Sequence, residues 1–113
     1  MKDRIFLDTN IMVYSYSVVE LAKQAIARKL ITDNNSFIST QVLQELANTV
    51  TKKFKFSYAD AKLAIYECCH NNNLHTNNNN TILKACEVAE RYGFSFYDSL
   101  IIASALEVGC AIL

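Results

Sequence analysis

Proline is absent from this chain, glycine occurs only twice, and the charges cancel, with 11 basic and 11 acidic residues. Each shortage excludes something. Two glycines cannot build a glycine-rich loop around nucleotide phosphates, which argues against that kind of phosphotransfer enzyme. A balanced charge gives no global field to attract nucleic acid or a membrane surface, so any such site must be local. No apolar run is long enough to span a bilayer, and no membrane partner is expected. The opening Met1-Lys2-Asp3-Arg4-Ile5 lacks the apolar core of a signal peptide, which predicts a cytoplasmic location. Without export, Cys68, Cys69, Cys86 and Cys110 are expected as free thiols rather than disulfides.

What is present suits one domain over residues 1–113, and 51% hydrophobic residues suffice for a core. Arg4-Ile5-Phe6-Leu7 reads as a buried strand ending at Asp8, with a helical turn to follow through Ile11–Tyr14. Residues 18 to 31 read as a helix with Val19, Ala22, Ile26 and Leu30 on its apolar face. Phe37-Ile38-Ser39 is a second strand, followed by a helix from Thr40 to about Lys53 with Val42, Leu46 and Val50 inward. Ser57-Tyr58-Ala59-Asp60 has capping-box form and opens another helix, striped by Ala61, Ala64, Ile65 and Cys68. Leu74-His75-Thr76 is a short strand and Asn77–Asn80 a loop. A helix over Thr81–Tyr92 turns Ile82, Ala85, Ala89 and Tyr92 to one side and stops at Gly93. Ser95–Leu106 then becomes almost wholly apolar. Such a helix is expected to be enclosed on nearly all sides, carrying Asp98 inward. Cys110–Leu113 begins a last buried strand. Alternating strands and helices with continuously apolar strands predict α/β architecture, a parallel sheet sandwiched between helices, with its site at the C-terminal edge of the strands.

Asp8, Glu45 and Asp98 stand out as candidate acids. Clustered carboxylates are what a hard divalent cation such as Mg²⁺ requires. Each also has a purely structural reading. Asp8 can cap the following helix, Asp98 can be the N3 acid of a capping box begun by Ser95, and Glu45 lies off the apolar side of its helix as a solvated residue. Spacing by itself does not join them. Lys52-Lys53-Phe54-Lys55-Phe56 interleaves cations and aromatics as a single-stranded RNA path would, although lysines at a helix C-terminus also meet the dipole favourably. Cys68, Cys69, His70 and His75 superficially suggest zinc. Adjacent helical residues point apart, however, so that site is not expected.

Three segments carry a resemblance. Ile5-Phe6-Leu7-Asp8-Thr9-Asn10-Ile11, Ser39-Thr40-Gln41-Val42-Leu43-Gln44-Glu45-Leu46 and Phe96-Tyr97-Asp98-Ser99-Leu100-Ile101-Ile102-Ala103-Ser104-Ala105, in this order and at these separations, resemble a PIN domain of the VapC-like toxin ribonucleases. The resemblance implies that Asp8, Glu45 and Asp98 bind Mg²⁺ or Mn²⁺ and act as the catalytic acids against an RNA phosphodiester. It implies that Asn10 and Ser39 support the site, that a cognate antitoxin protein blocks it, and that the toxin forms a homodimer. The family pattern continues past Ile112-Leu113 into a Ser/Thr-x-Asp stretch, whose Asp is a fourth acid, and a final strand. Neither is in this sequence, so a sandwich lacking the usual last strand is expected, with the Cys110–Leu113 strand open to another chain. An acid often found after the first motif is also not evident in Tyr14–Val18. Two functions therefore stand: a metal-dependent endoribonuclease of a type II toxin–antitoxin pair, or a catalytically impaired PIN remnant that binds protein or RNA.

Overall fold

The computed structural model describes residues 2–112, without the side chain of Ile112. Its elements run β1 (Arg4–Phe6), α1 (Thr9–Ser15), α2 (Leu21–Asp33), β2 (Asn35–Ser39), α3 (Thr40–Lys52), α4 (Tyr58–Asn71), β3 (Asn73–His75), α5 (Asn79–Tyr92), α6 (Phe96–Val108) and β4 (Ala111–Ile112). The four strands form one sheet in the order β3-β2-β1-β4, and every neighbouring pair is parallel. Parallel neighbours require a crossover, and each crossover here is a pair of helices. The chain steps outward from β1 to β2 to β3, then returns across the sheet to the far side of β1. Because crossovers keep one hand, that reversal moves the last helices to the opposite face.

The packing follows this division. One face buries Ile5, Leu7 and Ile38 with Met12 of α1, Val42, Leu46 and Val50 of α3, and Ala61 and Cys68 of α4. Phe6 points the other way by the period of two along a strand and is fully buried. Ala85 of α5 and Leu100 and Ala103 of α6 form a second, smaller cluster. The expected α/β/α sandwich is present. β4 lies at the sheet edge, and Leu113, the last residue of the expected strand, lies outside the described residues.

Three expectations about faces are corrected. In α2, Ala27 is buried and Leu30 and Ile31 pack on the core, whereas Ile26 is 62% exposed and Val19 lies before the helix, also exposed. In α5 the inward residues are Thr81, Ala85 and Val88, while Ile82 and Tyr92 are exposed. Both helices are rotated from the side that apolarity alone selects, because small residues allow closer approach than large ones. α6 is not enclosed all round: Tyr97 is 64% and Leu106 58% exposed. Asp98, in its first turn, faces solvent rather than inward. The buried side is the run of Ser99, Leu100, Ala103 and Ser104, starting one residue later.

The helix ends follow local chemistry. Ser57 Oγ accepts from Asp60 N at 3.0 Å. Asn78, in the expected loop, caps α5 in a reciprocal box with Thr81. Gly93 and Gly109 close α5 and α6 in left-handed conformations at φ 74° and 66°. α3 has no glycine at its end. Lys55 takes the left-handed conformation at φ 60° instead, and Phe56 N donates to Val50 O at 2.9 Å. Phe54 and Phe56 thereby pack against the core with ring centroids 6.3 Å apart, so these two rings serve the core and do not form an open stacking ladder between the lysines.

Tyr16 anchors α1 to α4. Its hydroxyl donates to Ala64 O at 3.1 Å or Glu67 Oε1 at 2.9 Å, lies 3.6 Å from Cys68 Sγ, and its ring meets Phe56 edge-on. Burial pushes the Tyr16 hydroxyl well above the usual phenol range and the Cys68 thiol up to about 11. Both groups favour their neutral form in the folded state. The folded chain therefore holds protons that the unfolded chain releases above the ordinary thiol value of 9.0. Stability from this pair is complete below that pH and declines as pH rises through the folded values. Thermal melts from about pH 8 to about pH 11 should show a falling Tm, and Tyr16→Phe combined with Cys68→Ala should flatten the decline. Separately, Lys55→Gly removes the left-handed strain and should raise stability by about 0.5–1 kcal/mol in urea unfolding.

Candidate metal centre at the sheet rim

The three acids stand on elements that begin at the C-terminal rim of the sheet. In the β1–β2 register Phe6 lies opposite Phe37, and Leu7 N donates to Phe37 O at 2.9 Å. Continuing by two residues sets Asp8 level with Ser39. Each is the N-cap of the helix after its strand. Asp8 Oδ1 accepts from Ile11 N at 3.1 Å, and the fully buried Ser39 Oγ accepts from Val42 N at 3.4 Å. Ser39 thus sets the axis of α3, which carries Glu45 in its second turn. α6 runs down to the start of β4 through the Gly109 turn, so its own start lies toward the rim where the strands end. Asp98 is there: Ser95 Oγ accepts from its backbone N at 3.2 Å. Among the described bonds the Asp98 carboxylate does not complete the box, and it remains free.

Cross-links hold this rim. Asn77 N donates to Thr40 Oγ1 at 3.2 Å, and Ser104 Oγ donates to Asn77 Oδ1 at 2.7 Å. These tie the loop after β3 to both α3 and α6. Gln41, in the first turn of α3, donates through Nε2 to Glu45 Oε1 at 2.7 Å and to the Tyr97 carbonyl at 3.3 Å. The helix bearing the second acid is thus bonded to the turn bearing the third. The N-termini of α3 and α6 also carry positive dipole ends, which favour an anion such as a phosphate at this edge.

The expected gathering of the three carboxylates is not found among the described residues. Among the described residues no three His, Cys, Asp or Glu side chains are arranged to hold a metal ion. One oxygen of Asp8 serves as a cap, and one of Glu45 is held by Gln41. The donor chemistry does suit a hard cation. The candidate ligands are all carboxylate oxygens, Glu45 and Asp98 face solvent and Asp8 is half-buried, and Mg²⁺ needs only one or two protein carboxylates with water completing its shell. Among the described residues, three of the four buried side-chain atoms that lack a hydrogen-bond partner lie near the acids in sequence. They are Thr9 Oγ1 after Asp8, Gln41 Oε1 one turn before Glu45, and Ser99 Oγ after Asp98. Unpartnered buried polar atoms are rare and mark places where water or a ligand is needed.

Asn10 is exposed in the first turn of α1, beside Asp8. Lys52, Lys53 and Lys55 are exposed at the far end of α3, opposite the end that meets the rim. Cys68 lies against Tyr16, whereas His75 Nε2 is 3.7 Å from Glu107 Oε1, so these two residues of the apparent zinc group serve different contacts. A separate cavity of about 540 Å³ opens among α1, α2 and α4, with Tyr16, Arg28 and Glu67 in its wall; none of the three acids lines it. Gln41 is the site residue that sequence reasoning missed. Its signal was a glutamine four residues before an acid, at the start of a helix and next to a core valine.

Comparisons with known proteins bear on the fold and the family. The PIN domain family model matches residues 5–113, and the chain belongs to that family. No curated protein sequence is recognisably similar to it. Among solved structures it is similar to a toxin–antitoxin complex from Klebsiella pneumoniae, at 18% identity and a TM-score of 0.70, over 96% of this chain and 82% of that one. It is also similar to the sarcin–ricin loop cleaving toxin VapC20 of Mycobacterium tuberculosis, at 18% identity and a TM-score of 0.73, over 94% and 84% of the two chains. VapBC2 of Rickettsia felis, bound to a DNA fragment from its promoter, matches at 21% identity and a TM-score of 0.69, over 96% and 85%. No helix among the described residues is long and apolar enough to cross a membrane.

Asp8 combines a structural and a candidate chemical role, and substitution can separate them. Asp8→Asn keeps a capping side chain and should leave the unfolding free energy within a few tenths of a kcal/mol. Asp8→Ala removes the cap and should cost about 1 kcal/mol by denaturant unfolding.

Proposed function

We propose that this PIN-domain chain is a metal-dependent endoribonuclease, the toxin of a type II toxin–antitoxin pair. One observation carries the reading: all three acids stand on elements that start at the C-terminal rim of a parallel sheet, beside the strand where the order reverses. In α/β sheets that is where ligands bind. The family and the toxins among the structural neighbours support the same class of chemistry.

Asp8, Glu45 and Asp98 would hold Mg²⁺ or Mn²⁺. When bound, such an ion lowers the pKa of a coordinated water and polarises a phosphoryl oxygen. The chain's own contribution is positioning. The dipoles of α3 and α6 draw the RNA phosphate to the rim. Ser39 holds the start of α3, and Asn10 offers an exposed amide to orient substrate or water. Lys52, Lys53 and Lys55 would supply backbone attraction along the RNA away from the cut. An antitoxin partner and a homodimer belong to the same reading. Exposed Val18, Val19, Leu21 and Ile26 near α2, and Leu83, Tyr92 and Phe94 near α5, provide apolar surface for such contacts.

The second reading, a remnant that binds RNA or protein without cutting, has one observation in its favour: oxygens of Asp8 and Glu45 are already engaged within the protein. Cleavage assays separate the two. Structured and unstructured RNA incubated with Mg²⁺ or Mn²⁺ should be cut, and EDTA should stop the cutting. Asp8→Asn and Asp98→Asn should each reduce it by about 100-fold or more, at least the upper end of what second-shell changes cost. Intact protein that neither cuts RNA nor binds either ion establishes the remnant reading instead.

A further inference from the structure

We propose that Gln41 is a positioning residue of this site, one that fixes Glu45 relative to Asp98 and offers its amide oxygen to a water of the site. The inference rests on the proposed function and extends it to a residue outside the acid set. Gln41 is 3% exposed, although it lies in the first turn of a helix beside an open rim. Its Nε2 donates to Glu45 Oε1 at 2.7 Å and to the Tyr97 carbonyl at 3.3 Å. Those two bonds join α3 to the turn of α6 in which Asp98 is the next residue. The amide orientation is determined by its partners: turning it over would place two acceptor oxygens face to face at both contacts.

That orientation leaves Gln41 Oε1 buried with no partner. The bonds to Glu45 and to the Tyr97 carbonyl stabilise the pairing of α3 with α6, and the unpartnered buried carbonyl costs about as much as they return. Fold stability alone therefore gives a glutamine here little net advantage over a nonpolar side chain of the same length. A buried carbonyl oxygen with no protein partner is an acceptor that an ordered water would use. Because Gln41 also grips the Glu45 carboxylate, it couples the position of that acid to such a water.

The test compares wild type with Gln41→Leu and Gln41→Met, two apolar replacements of similar size, and with Asp8→Asn and Asp98→Asn. The readouts are Tm, Mn²⁺ affinity by water-proton relaxation, and kcat and KM for RNA cleavage. The Gln41 variants should keep Tm close to that of wild type, because removal of the unpartnered oxygen offsets loss of the two bonds. Their Mn²⁺ affinity should weaken about 10–100-fold, as for loss of an outer-shell partner, and kcat should fall with KM unchanged. Using both replacements guards against a packing fault in either. If both bind Mn²⁺ and cut like wild type while the two acid variants lose both properties, the role of Gln41 is overturned and the nuclease reading stands. If the Gln41 variants lose affinity only in step with a lowered Tm, the residue is structural and the inference is also overturned. A wild-type chain that neither binds Mn²⁺ nor cuts RNA overturns both readings together.

Discussion

Parallel pairing of β1 with β2 on one side and β4 on the other is the constraint from which the rest follows. Parallel neighbours cannot be joined by a tight turn, so each link must climb back over the sheet through helices. Helices that leave the strands then begin at one edge, and the helix that feeds β4 begins toward that edge as well. Asp8, the start of α3 and the first turn of α6 belong to one rim because of this pairing. The strands are short, only three residues in β1 and two in β4, so the sheet specifies direction more than it supplies area. The buried apolar side chains of α1, α3 and α4 form the larger core cluster.

The rim illustrates how one residue can serve both fold and chemistry. Asp8 and Ser39 end their strands as helix caps, which is the commonest use of such residues. A cap needs only one oxygen of a carboxylate, so the structural role does not exclude a second one. The dipole that favours Asp98 in the first turn of α6 would also favour a phosphate there. Capping, phosphate attraction and cation binding therefore draw on the same few positions, and residue type alone cannot distinguish them.

Several elements were legible from pattern. Asp8 before Thr9, Ser57 before Tyr58 and Ser95 before Phe96 are cap signals, and each marks a real helix start; the cap role of Ser39 emerges only in the structure. The α3 stripe of Val42, Leu46 and Val50 is fully buried, because a helix with one apolar side has only one way to face a core. In α2 the apolar residues spread around the wheel, and the side that packs is set by the small Ala27, which carries little weight in a hydrophobic pattern. In α5 the apolar side and the covered side share Ala85, and packing turns the helix toward Thr81 and Val88. Asp98 was placed inward by the apolarity of the residues after it, yet the first turn of α6 precedes the covered part of the helix.

By itself, the sequence determined the order and kind of the elements, the capped starts of α1, α4 and α6, the helix stops at Gly93 and Gly109, and, through the three spaced segments, the family. These are properties of neighbouring residues, whose dihedral preferences and periodicity act over one or two turns of chain. Only the tertiary structure decided which helix sides are covered, that Phe54 and Phe56 serve the core, and that Gln41 bonds to residues 4 and 56 positions away. A contact of the second kind depends on where two crossovers end, which no local preference encodes.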